Sequence, residues 1–418
     1  MIGAIADDFT GGTDVAVALR RAGLRTVVLF GIPEDDVLPD HDAIVIALKS
    51  RTIAAADAVR ESLEAAQWLR DHGVDQLFFK YCSTFDSRPE GNIGPVADAL
   101  ADLLGATRAA VVPSSPEHGR TQFMGHLFVG QQLLSDSPMR HHPLTPMTDS
   151  FIPRVLETQT SRPVVLVDHA EVRQGREHLR AAFDTAQADG ARYIVVDAVS
   201  DDDLIEIGYA CIDDVFVTGA AGLAGGLGVA RFNRAGAATP DALGIDPVGD
   251  VPAAVLAGSC SARTLEQIDH MQADHDSFWL DAVSLPDPQA LAARALAWYD
   301  GRSTSSAPLI YSSLPPAELS RVQSALGVAG ASEILETAMG IIARGLVERG
   351  VSRLVVAGGE TSGAVVTALS VAGGLIGAEA APGVPWIYTT GTRPVALLLK
   401  SGNFGDAELL TRAVEAAA

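Results

Sequence analysis

Short runs of apolar residues alternate with longer amphipathic or alanine-rich runs from the beginning to the end of this chain. The short runs are rich in Val, Ile, Leu and Ala, which is typical of buried strands. The longer runs, 54–71 and 171–188 among them, are helix-like. Because apolar strands separated by helices form sheets with both faces covered, the pattern predicts a mostly parallel α/β fold.

One stretch breaks this rhythm. Arg234–Val251 is rich in Gly, Pro, Ala and Asp, has no sustained period, and predicts an interdomain linker. We expect two α/β domains, 1–236 and 250–418, because 418 residues exceed what one hydrophobic core usually organises. The predicted strands are Ile2–Ala6, Thr26–Phe30, Ala43–Ala47, Leu77–Phe79, Ala109–Val112, Val164–Val167, Tyr193–Val196 and Val215–Val217 before the linker, and Ala253–Ala257, Leu309–Tyr311, Leu354–Ala357, Trp386–Thr389 and Val395–Leu399 after it.

The stretch 113–150 is rich in Pro and His and is only weakly periodic, so it predicts a long irregular segment. Such segments are usually functional. His118 and His126 are too far apart for a helical metal-binding pair, and the adjacent His141 and His142 would diverge in a helix or strand. We therefore favour substrate-lining polar residues here over a zinc site; Glu117 and Arg120 belong to the same set.

Composition narrows the choice of partners and compartment. The net charge of −22 and the pI of about 4.7 argue against nucleic acid and anionic membranes as partners. The three cysteines are far apart and form no C-x-x-C motif, which suits a reducing cytoplasm. The N-terminus does not have the pattern of a signal peptide, and no apolar stretch approaches the ~20 residues of a membrane span.

Polar side chains follow several strands of the first domain, where open α/β sheets bind their ligands. Asp7 and Asp8 follow the first strand and could hold a hydroxyl or accept its proton, although one of them could simply cap the next helix. Arg51 follows the third strand and suits a carboxylate, although Lys49–Thr52 could also be a solvated turn. Lys80–Ser87 gives the fourth strand an unusually polar end, in which Cys82 has no evident basic partner that would make it a nucleophile.

Glycine-rich turns follow strands of the second domain, at Gly258–Ser261, Gly358–Gly363 and Lys400–Gly405. Glycines let backbone N–H groups approach phosphate oxygens, and a helix N-terminus favours their charge, so these turns predict a phosphate ligand. The chain contains no G-x-x-x-x-G-K-[ST] motif, which excludes a P-loop NTPase. The run Gly222–Gly228 lacks the G-x-G-x-x-G spacing, and we interpret it as a helix-packing surface.

These motifs resemble the four-carbon acid sugar kinases over essentially the whole chain. Within that family the chain most resembles the 3-oxo-tetronate 4-kinases, through KYCSTFDS at 80–87 and MRHHPLTPMTDS at 139–150. Threonate and erythronate kinases tend to have a shorter K-I-D-S-T-L-R-G type segment with Asp in place of Cys82, and the family usually has Ala in place of Gly12. The other similar motifs are ADDFTGG at 6–12, LKSRT at 48–52, PSSPEHGRTQFMGHLFVG at 113–130, GSCSART at 258–264, GGETSGAV at 358–365 and KSGNFG at 400–405.

The resemblance implies a sugar-acid-binding N-terminal domain, an ATP-binding C-terminal domain and an active-site cleft between them. Arg51 and Lys80 would hold the substrate carboxylate, and Asp8 would accept the hydroxyl proton, with Asp7 and Asp86 as alternatives. The implied substrate-binding residues are Asp7, Asp8, Arg51, Lys80, Tyr81, Cys82, Ser83 and Asp86, and the implied nucleotide-binding residues are Ser259, Gly358, Gly359, Glu360, Thr361 and Gly402.

The implied reaction is ATP-dependent phosphorylation of the terminal 4-hydroxyl of 3-oxo-tetronate, with D-threonate or D-erythronate as alternative acceptors. Mg²⁺ is expected with ATP, but the sequence does not single out its protein ligands. The expected partners are the sugar acid and ATP, and a homo-oligomer is left open. A non-catalytic acid-binding protein and a dehydrogenase are the rival interpretations; the first would need export, and the second lacks its fingerprint.

Overall fold

The computed structural model describes residues 1–33, 38–141, 145–236, 251–302, 306–390 and 393–415. The chain folds as two compact units, Met1–Gly244 and Ile245–Ala418. Most of the predicted linker Arg234–Val251 lies outside the described residues, so the predicted limits of the domains, 1–236 and 250–418, stay a prediction.

The N-terminal unit contains eleven described strands and eight α-helices. Its strands are β1 (Ile2–Ala6), β2 (Thr26–Phe30), β3 (Ala43–Ala47), β4 (Gln76–Lys80), β5 (Ala109–Val112), β6 (Arg120–Phe123), β7 (His126–Val129), β8 (Gln132–Leu133), β9 (Val164–Val167), β10 (Tyr193–Val196) and β11 (Phe216–Gly219). Its helices are α1 (Phe9–Arg21), α2 (Ala55–Asp71), α3 (Ile93–Leu104), α4 (Ile152–Glu157), α5 (His169–Val172), α6 (Arg176–Ala188), α7 (Asp201–Ala210) and α8 (Ala221–Ala235).

The main sheet of this unit has the strand order β2-β3-β1-β4-β11-β5-β10-β9, and its described pairings are all parallel. Strand β1 is buried along its whole length and pairs in register with both β3 and β4. The prediction of a mostly parallel α/β sheet is therefore confirmed. Because β3, β1 and β4 are neighbours, the polar residues that follow them meet at one edge of the sheet.

The segment 113–150 is not the irregular stretch that the sequence predicted. Strands β6, β7 and β8 form a small antiparallel sheet, which is followed by 3₁₀ turns at Leu134–Asp136 and Pro138–His141. The β6–β7 turn is fixed by the buried Asp197, whose carboxylate accepts hydrogen bonds from the N–H groups of Met124 and Gly125. The prediction failed because these strands are short and mostly only partly buried, so their apolar residues do not alternate cleanly. His142 lies outside the described residues.

The C-terminal unit contains seven described strands and six helices. The strands are β12 (Ala253–Ala257), β13 (Ser277–Trp279), β14 (Leu309–Tyr311), β15 (Arg353–Ala357), β16 (Gly373–Ala381), β17 (Val384–Thr389) and β18 (Ala396–Lys400). The helices are α9 (Ala262–Met271), α10 (Pro288–Asp300), α11 (Pro316–Leu326), α12 (Val328–Glu348), α13 (Gly359–Ala368) and α14 (Leu409–Glu415).

The sheet of this unit has the order β13-β14-β12-β15-β18-β17-β16. The first five strands are parallel, while β17 runs antiparallel to both β18 and β16. The sequence missed β13, which has only three residues, and β16, whose many small residues have a low strand propensity. The predicted glycine-rich turns after β12, β15 and β18 lie on three adjacent strands.

The glycine run Gly222–Gly228 lies in α8, where it permits close helix packing. A Cβ atom at Gly226 would lie 2.1 Å from the carbonyl oxygen of Leu204 in α7, and one at Gly228 would lie 2.7 Å from Cβ of Ala22. No side chain fits at such distances, so our interpretation of this run as a helix-packing surface is confirmed. Among the described residues, no single helix is long and apolar enough to span a membrane; α11 and α12 pass such a test only as a pair, bent by 102°.

Candidate substrate and nucleotide sites

The carboxyl ends of β3, β1 and β4 bring Arg51, Asp7, Asp8 and Lys80 together. Arg51 forms a bidentate salt bridge with Asp7, in which Nε lies 2.8 Å from Oδ2 and Nη2 lies 2.9 Å from Oδ1. Its Nη2 also lies 2.7 Å from Oδ1 of Asp8. The backbone fixes this arrangement, because the carbonyl oxygen of Asp7 accepts hydrogen bonds from the N–H groups of Ser50 and Arg51. Arg51 and Asp7, two of the predicted substrate-binding residues, are thus in direct contact.

Asp8 and Lys80 form the second half of this cluster. Lys80 Nζ lies 3.3 Å from Oδ1 of Asp8 and 3.7 Å from Oδ1 of Asp7. Asp8 also caps α1, since its Oδ1 accepts a hydrogen bond from the Gly11 N–H at 2.8 Å. The Asp8 carboxylate therefore both caps α1 and takes part in the cluster. Gly11 is required here, because a Cβ atom at this position would lie 1.8 Å from Lys80 Nζ.

Charge pairing keeps this cluster ionised. Burial by itself would raise the pKa of Asp8, but Lys80, Arg51 and the Gly11 N–H outweigh it and hold that pKa below the ordinary value. Burial would likewise lower the pKa of Lys80, but Asp7 and Asp8 more than compensate and raise it. Asp8 and Lys80 therefore face each other as an ion pair at neutral pH.

The loop that carries Arg51 is held by Asn92, a residue that our sequence analysis did not single out. Its Nδ2 donates to the carbonyl oxygens of Ser50 at 2.7 Å, Arg51 at 3.3 Å and Ile53 at 3.3 Å. Asn92 is buried and directly precedes α3. A polar residue at a helix start gave no signal beyond capping, and its contact with a distant loop depends on the tertiary fold.

The segment after β4 contains side chains with different surroundings. Tyr81 is buried, and its hydroxyl lies 3.1 Å from the Thr218 hydroxyl, so its ring packs in the core. Burial raises the pKa of Cys82, which keeps the thiol protonated and agrees with the expectation that it is not a nucleophile. Cys82 Sγ lies 3.0 Å from Thr84 Oγ1, and Thr84 donates to Asp86 at 2.5 Å. Ser83 and Asp86 are partly exposed.

Asp14 is a further candidate that the sequence analysis missed. Asp14 lies on the same face of α1 as Gly11 and Arg21. Gly11 lies next to Lys80. Arg21 pairs with Glu117 of the 3₁₀ turn Pro116–His118. Asp14 therefore lies between Lys80 and that turn. Burial raises its pKa, and Lys80 and His118 only partly oppose this effect. Asp14 is six residues after Asp8, which is not a spacing that indicates a site. Its importance depends on the position of Lys80, which local sequence does not predict.

The candidate nucleotide site lies at the carboxyl ends of β12, β15 and β18. Its backbone turns fit tightly against one another. A Cβ atom at Gly258 would lie 2.1 Å from Thr361 Oγ1, and one at Gly402 would lie 2.5 Å from Ser259 Oγ. The carbonyl oxygen of Gly402 accepts hydrogen bonds from the hydroxyl groups of Ser261 at 2.6 Å and Thr264 at 2.9 Å. The structure thus joins the first and third predicted turns.

The start of α13 presents open backbone N–H groups. Its N-cap residue, Gly358, has a φ of 131°, which favours glycine, and provides no side-chain cap. A Cβ atom at Gly359 would meet nothing within 4 Å, and Glu360 beside it is exposed. Thr361 is buried. An uncapped helix start facing open space can accept an anionic group.

Lys400 holds the third glycine-rich turn, Lys400–Gly405, in place. It is only 1% exposed, and its Nζ donates to Thr264 Oγ1 at 3.0 Å, Gln267 Oε1 at 2.6 Å and the Gly402 carbonyl at 3.1 Å. All three acceptors are neutral. Burial, together with Arg263, lowers the pKa of Lys400 to about 8. This lysine therefore fixes the turn and adds a weak positive charge beneath it.

Among the described residues, no group of three His, Cys, Asp or Glu side chains is placed to hold a metal ion. His118 and His126 instead lie beside the hydroxyl groups of Ser115 and Ser150, each at 3.0 Å. The cysteines Cys82, Cys211 and Cys260 are all free thiols.

Comparison with known proteins assigns both parts of the chain to one family. Residues 2–227 match the model of a sugar-binding N-terminal domain, and residues 254–410 match that of a nucleotide-binding C-terminal domain. The chain belongs to the four-carbon acid sugar kinase family.

Two curated relatives of this family member are named 3-oxo-tetronate kinase. The protein from Pseudomonas fluorescens is 49% identical and the one from Burkholderia multivorans is 48% identical. The alignments cover 99% and 100% of this chain and 96% and 97% of the relatives. A solved structure of a Haemophilus influenzae protein covers all of both chains with a TM-score of 0.92 at 38% identity.

Proposed function

We propose that this protein is an ATP-dependent kinase that phosphorylates the terminal 4-hydroxyl of 3-oxo-tetronate. The observation that carries the proposal is the pair of sites: an ionised Asp–Arg–Lys cluster in the unit that matches a sugar-binding domain, and an uncapped glycine turn in the unit that matches a nucleotide-binding domain. The names of the full-length relatives supply the substrate. The active-site cleft that the resemblance implies stays a prediction.

The substrate carboxylate meets Lys80 and the free edge of Arg51. Nε and Nη2 of Arg51 are engaged by Asp7 and Asp8, but no described hydrogen bond engages its Nη1. Because Asp7 holds the guanidinium in one orientation, that edge is preorganised for an anion. Ser83, Cys82 and Asp86 line the adjoining segment and contact the rest of the sugar acid, while Tyr81 supports them from the core.

In the chemical step, the substrate hydroxyl oxygen forms a bond to the γ-phosphorus of ATP, and the bond between that phosphorus and the β,γ-bridging oxygen breaks. ADP leaves with that bonding electron pair, and the hydroxyl proton passes to Asp8. A loose phosphoryl-transfer transition state asks mainly for orientation and charge balance, so a carboxylate with a low pKa suffices. Both oxygens of Asp7 are engaged by Arg51, and Asp86 accepts a hydrogen bond from Thr84, so Asp14 is the main competitor of Asp8.

On the nucleotide side, the phosphates are bound by the N–H groups at Gly359–Thr361, by Ser259 and by Gly402. Gly358 shapes this turn, and its own N–H donates to the carbonyl oxygen of Lys400 at 2.9 Å. Glu360 lies in the first turn of α13, where its exposed carboxylate could reach the metal or sugar of the nucleotide. We propose that Mg²⁺ arrives on the ATP phosphates, because Mg²⁺ keeps several waters and binds through substrate phosphates. Its role would be to neutralise the charge of the transferred group.

We place this kinase in the cytoplasm, where ATP is available and where free thiols such as Cys82, Cys211 and Cys260 persist. Its partners are small molecules, the sugar acid and ATP. The acidic chain is unsuited to nucleic acid or anionic membranes. A homo-oligomer stays open.

A coupled assay for ADP release across a panel of four-carbon acids tests the proposal. We expect the highest kcat/KM with 3-oxo-tetronate, and much lower values with D-threonate and D-erythronate. A preference for either of those acids would reassign the substrate within the same chemistry. Binding of the acid without ADP release would instead support a non-catalytic binding protein, and turnover that depends on NAD would support a dehydrogenase.

A further inference from the structure

An open pocket of about 550 Å³ lies beside the third glycine turn of the C-terminal unit. It is lined by Ala380 and Ala381 at the end of β16 and by Pro382 in the turn to β17, by the loop Asn403–Asp406, and by Arg412 of α14. Gly402, which we place at the ATP phosphates, directly precedes this loop in the chain. The pocket therefore begins where the proposed phosphate site ends.

Phe404 is the most distinctive side chain of this pocket. It is 39% exposed and contributes a flat apolar surface to the pocket. One edge of its ring rests on Gly383, where a Cβ atom would lie 2.9 Å from the ring and where φ is +75°. A glycine is therefore required beneath the ring, which supports Phe404 from one side and leaves the remainder of the ring available to a flat ligand.

The loop that carries Phe404 is held rigidly. Gln267 Nε2 donates to the carbonyl oxygens of Phe404 at 3.1 Å and Asp406 at 2.6 Å. Arg412 pairs with the Asp406 carboxylate at 3.0 Å. On the opposite wall, the Gly383 N–H donates to Glu379 Oε1 at 2.7 Å. A preformed aromatic surface loses little conformational entropy when a ligand stacks on it.

We propose that this pocket binds the adenine base of ATP, stacked on Phe404, and this rests on the proposed kinase function. The small apolar residues Ala380–Pro382 suit the faces of a purine, and Asn403 and Asp406 can meet its polar edge. Among the described residues of this unit, the other exposed aromatic side chain is Trp279, which ends β13 and is also 39% exposed. Trp279 is on β13, two strands beyond β12 in the sheet, whereas Phe404 lies two residues from Gly402.

Calorimetric titration with ADP and with inorganic pyrophosphate tests this site, because pyrophosphate has the phosphates without the base. The variants are Phe404→Ala, Phe404→Tyr and the matched control Trp279→Ala. We expect Phe404→Ala to weaken ADP binding about tenfold, the usual order of a lost base–aromatic stack, and to leave pyrophosphate binding unchanged. Phe404→Tyr and Trp279→Ala should retain ADP binding within about twofold.

The outcomes separate the pocket from the kinase assignment. Unchanged ADP binding in folded Phe404→Ala, or a loss with Trp279→Ala instead, would overturn the adenine site and leave the nucleotide site intact. An equal loss of ADP and pyrophosphate binding in Phe404→Ala would also overturn it, since the ring would then support the phosphate turn rather than the base. A wild-type protein that binds neither ADP nor ATP would overturn the proposed function itself.

Discussion

Lysine is scarce in this chain, and its placement is informative. Of thirty basic residues only Lys49, Lys80 and Lys400 are lysines. Lys80 and Lys400 end β4 and β18 and are 5% and 1% exposed, respectively. Because burying an ammonium group costs several kcal/mol unless it is well paired, such positions usually have a reason beyond packing. Each of the two buried lysines lies at one of the candidate sites.

The roles of Asp8 and Asp14 can be separated by asparagine variants, since Asn keeps the size of the side chain and removes its basicity. Asp8→Asn should lower kcat by about 10²–10⁴-fold, the usual contribution of a general base, while ATP binding is retained. Asp14→Asn should have a much smaller effect on kcat. Steady-state kinetics with 3-oxo-tetronate and titration with ATP measure both effects. Asp57→Asn, in the exposed first turn of α2, is the matched control.

The pH profile gives an independent answer for the same two carboxylates. A base must be ionised, so activity falls as pH drops through its pKa. The pKa of Asp8 lies below the ordinary Asp value, so with Asp8 as base kcat/KM should hold down to pH values below that of a free Asp. The pKa of Asp14 is raised, so an acid limb that begins above the ordinary value and disappears in Asp14→Asn would identify Asp14 as the base instead.

Arg51 should act on the sugar acid and not on ATP. Arg51→Ala removes the edge that meets the substrate carboxylate, and it also leaves Asp7 unpaired. We expect the KM for the sugar acid to rise by at least tenfold, with the KM for ATP changed by less than about twofold. Arg51→Lys should rescue poorly, because an ammonium cannot reproduce the contact with both oxygens of Asp7. An equal rise in both KM values would point to a structural role.

Gly359 and Gly363 offer a matched pair within α13. At both positions a Cβ atom would meet nothing within 4 Å, so valine fits the fold at either one. Gly359→Val adds its methyl groups at the uncapped helix start, where we place the phosphates, and should weaken ATP binding at least tenfold, about 1.4 kcal/mol. Gly363→Val, one turn further on, should leave ATP affinity unchanged. Equal affinities in the two folded variants would remove the phosphates from this helix start.

At the level of elements, the turn after β18 should make stability depend on pH. The pKa of Lys400 is about 8 in the folded protein, against 10.5 for an ordinary lysine. Between these values the unfolded chain binds more protons, so the free energy of unfolding should rise with pH across this window and be flat below it. Lys400→Met should abolish that rise in urea denaturation curves between pH 7 and about 10.5, relative to wild type.

Lys49→Met is the control for this experiment, because it removes the one exposed lysine and leaves the turn intact. Other groups titrate in the same window, but their contribution is common to all three proteins and cancels in the differences. Parallel curves for wild type and Lys400→Met would show that Lys400 titrates as an ordinary lysine in the fold.

The elements that sequence predicted well are strands with an uninterrupted run of apolar residues. Strand β1 and its neighbour β3 are buried at every position, so their apolar runs are continuous and their limits were predicted to the residue. Strand β6 has only four residues, of which the polar Gln122 is buried and the apolar Phe123 is exposed, and β16 contains three glycines, so neither shows a strand signal. The failures follow from short or glycine-rich strands that tertiary pairing stabilises.

The site was predictable as separate pieces and not as a constellation. Asp8, Arg51 and Lys80 each follow a predicted strand, so the rule for open sheets identified them. That β3, β1 and β4 are neighbours depends on the sheet order, which local patterns do not determine. Asn92 and Asp14 were missed for this reason, since each is meaningful only through a contact with a residue more than forty positions away.

For the molecule as a whole, the negative net charge repels anionic substrates as they approach. The formal net charge of the chain is −22. Within the Asp–Arg–Lys cluster, the charges of Asp7 and Asp8 are balanced by those of Arg51 and Lys80. The cluster thus offers no surplus of positive charge to offset the long-range repulsion of a sugar acid. Salt shortens the range of that repulsion, from about 30 Å at 0.01 M to about 8 Å at 0.15 M.

We therefore expect kcat/KM for the sugar acid to rise about two- to threefold between about 10 and 150 mM NaCl, at constant Mg²⁺ and saturating ATP. An enzyme that attracts its substrate by surface charge shows the opposite trend. Potassium glutamate and sodium chloride at equal ionic strength should give the same rise, which separates screening from a specific effect of chloride. A fall in kcat/KM over this range would mean that local positive charge, beyond the balanced cluster, dominates the approach of the acid.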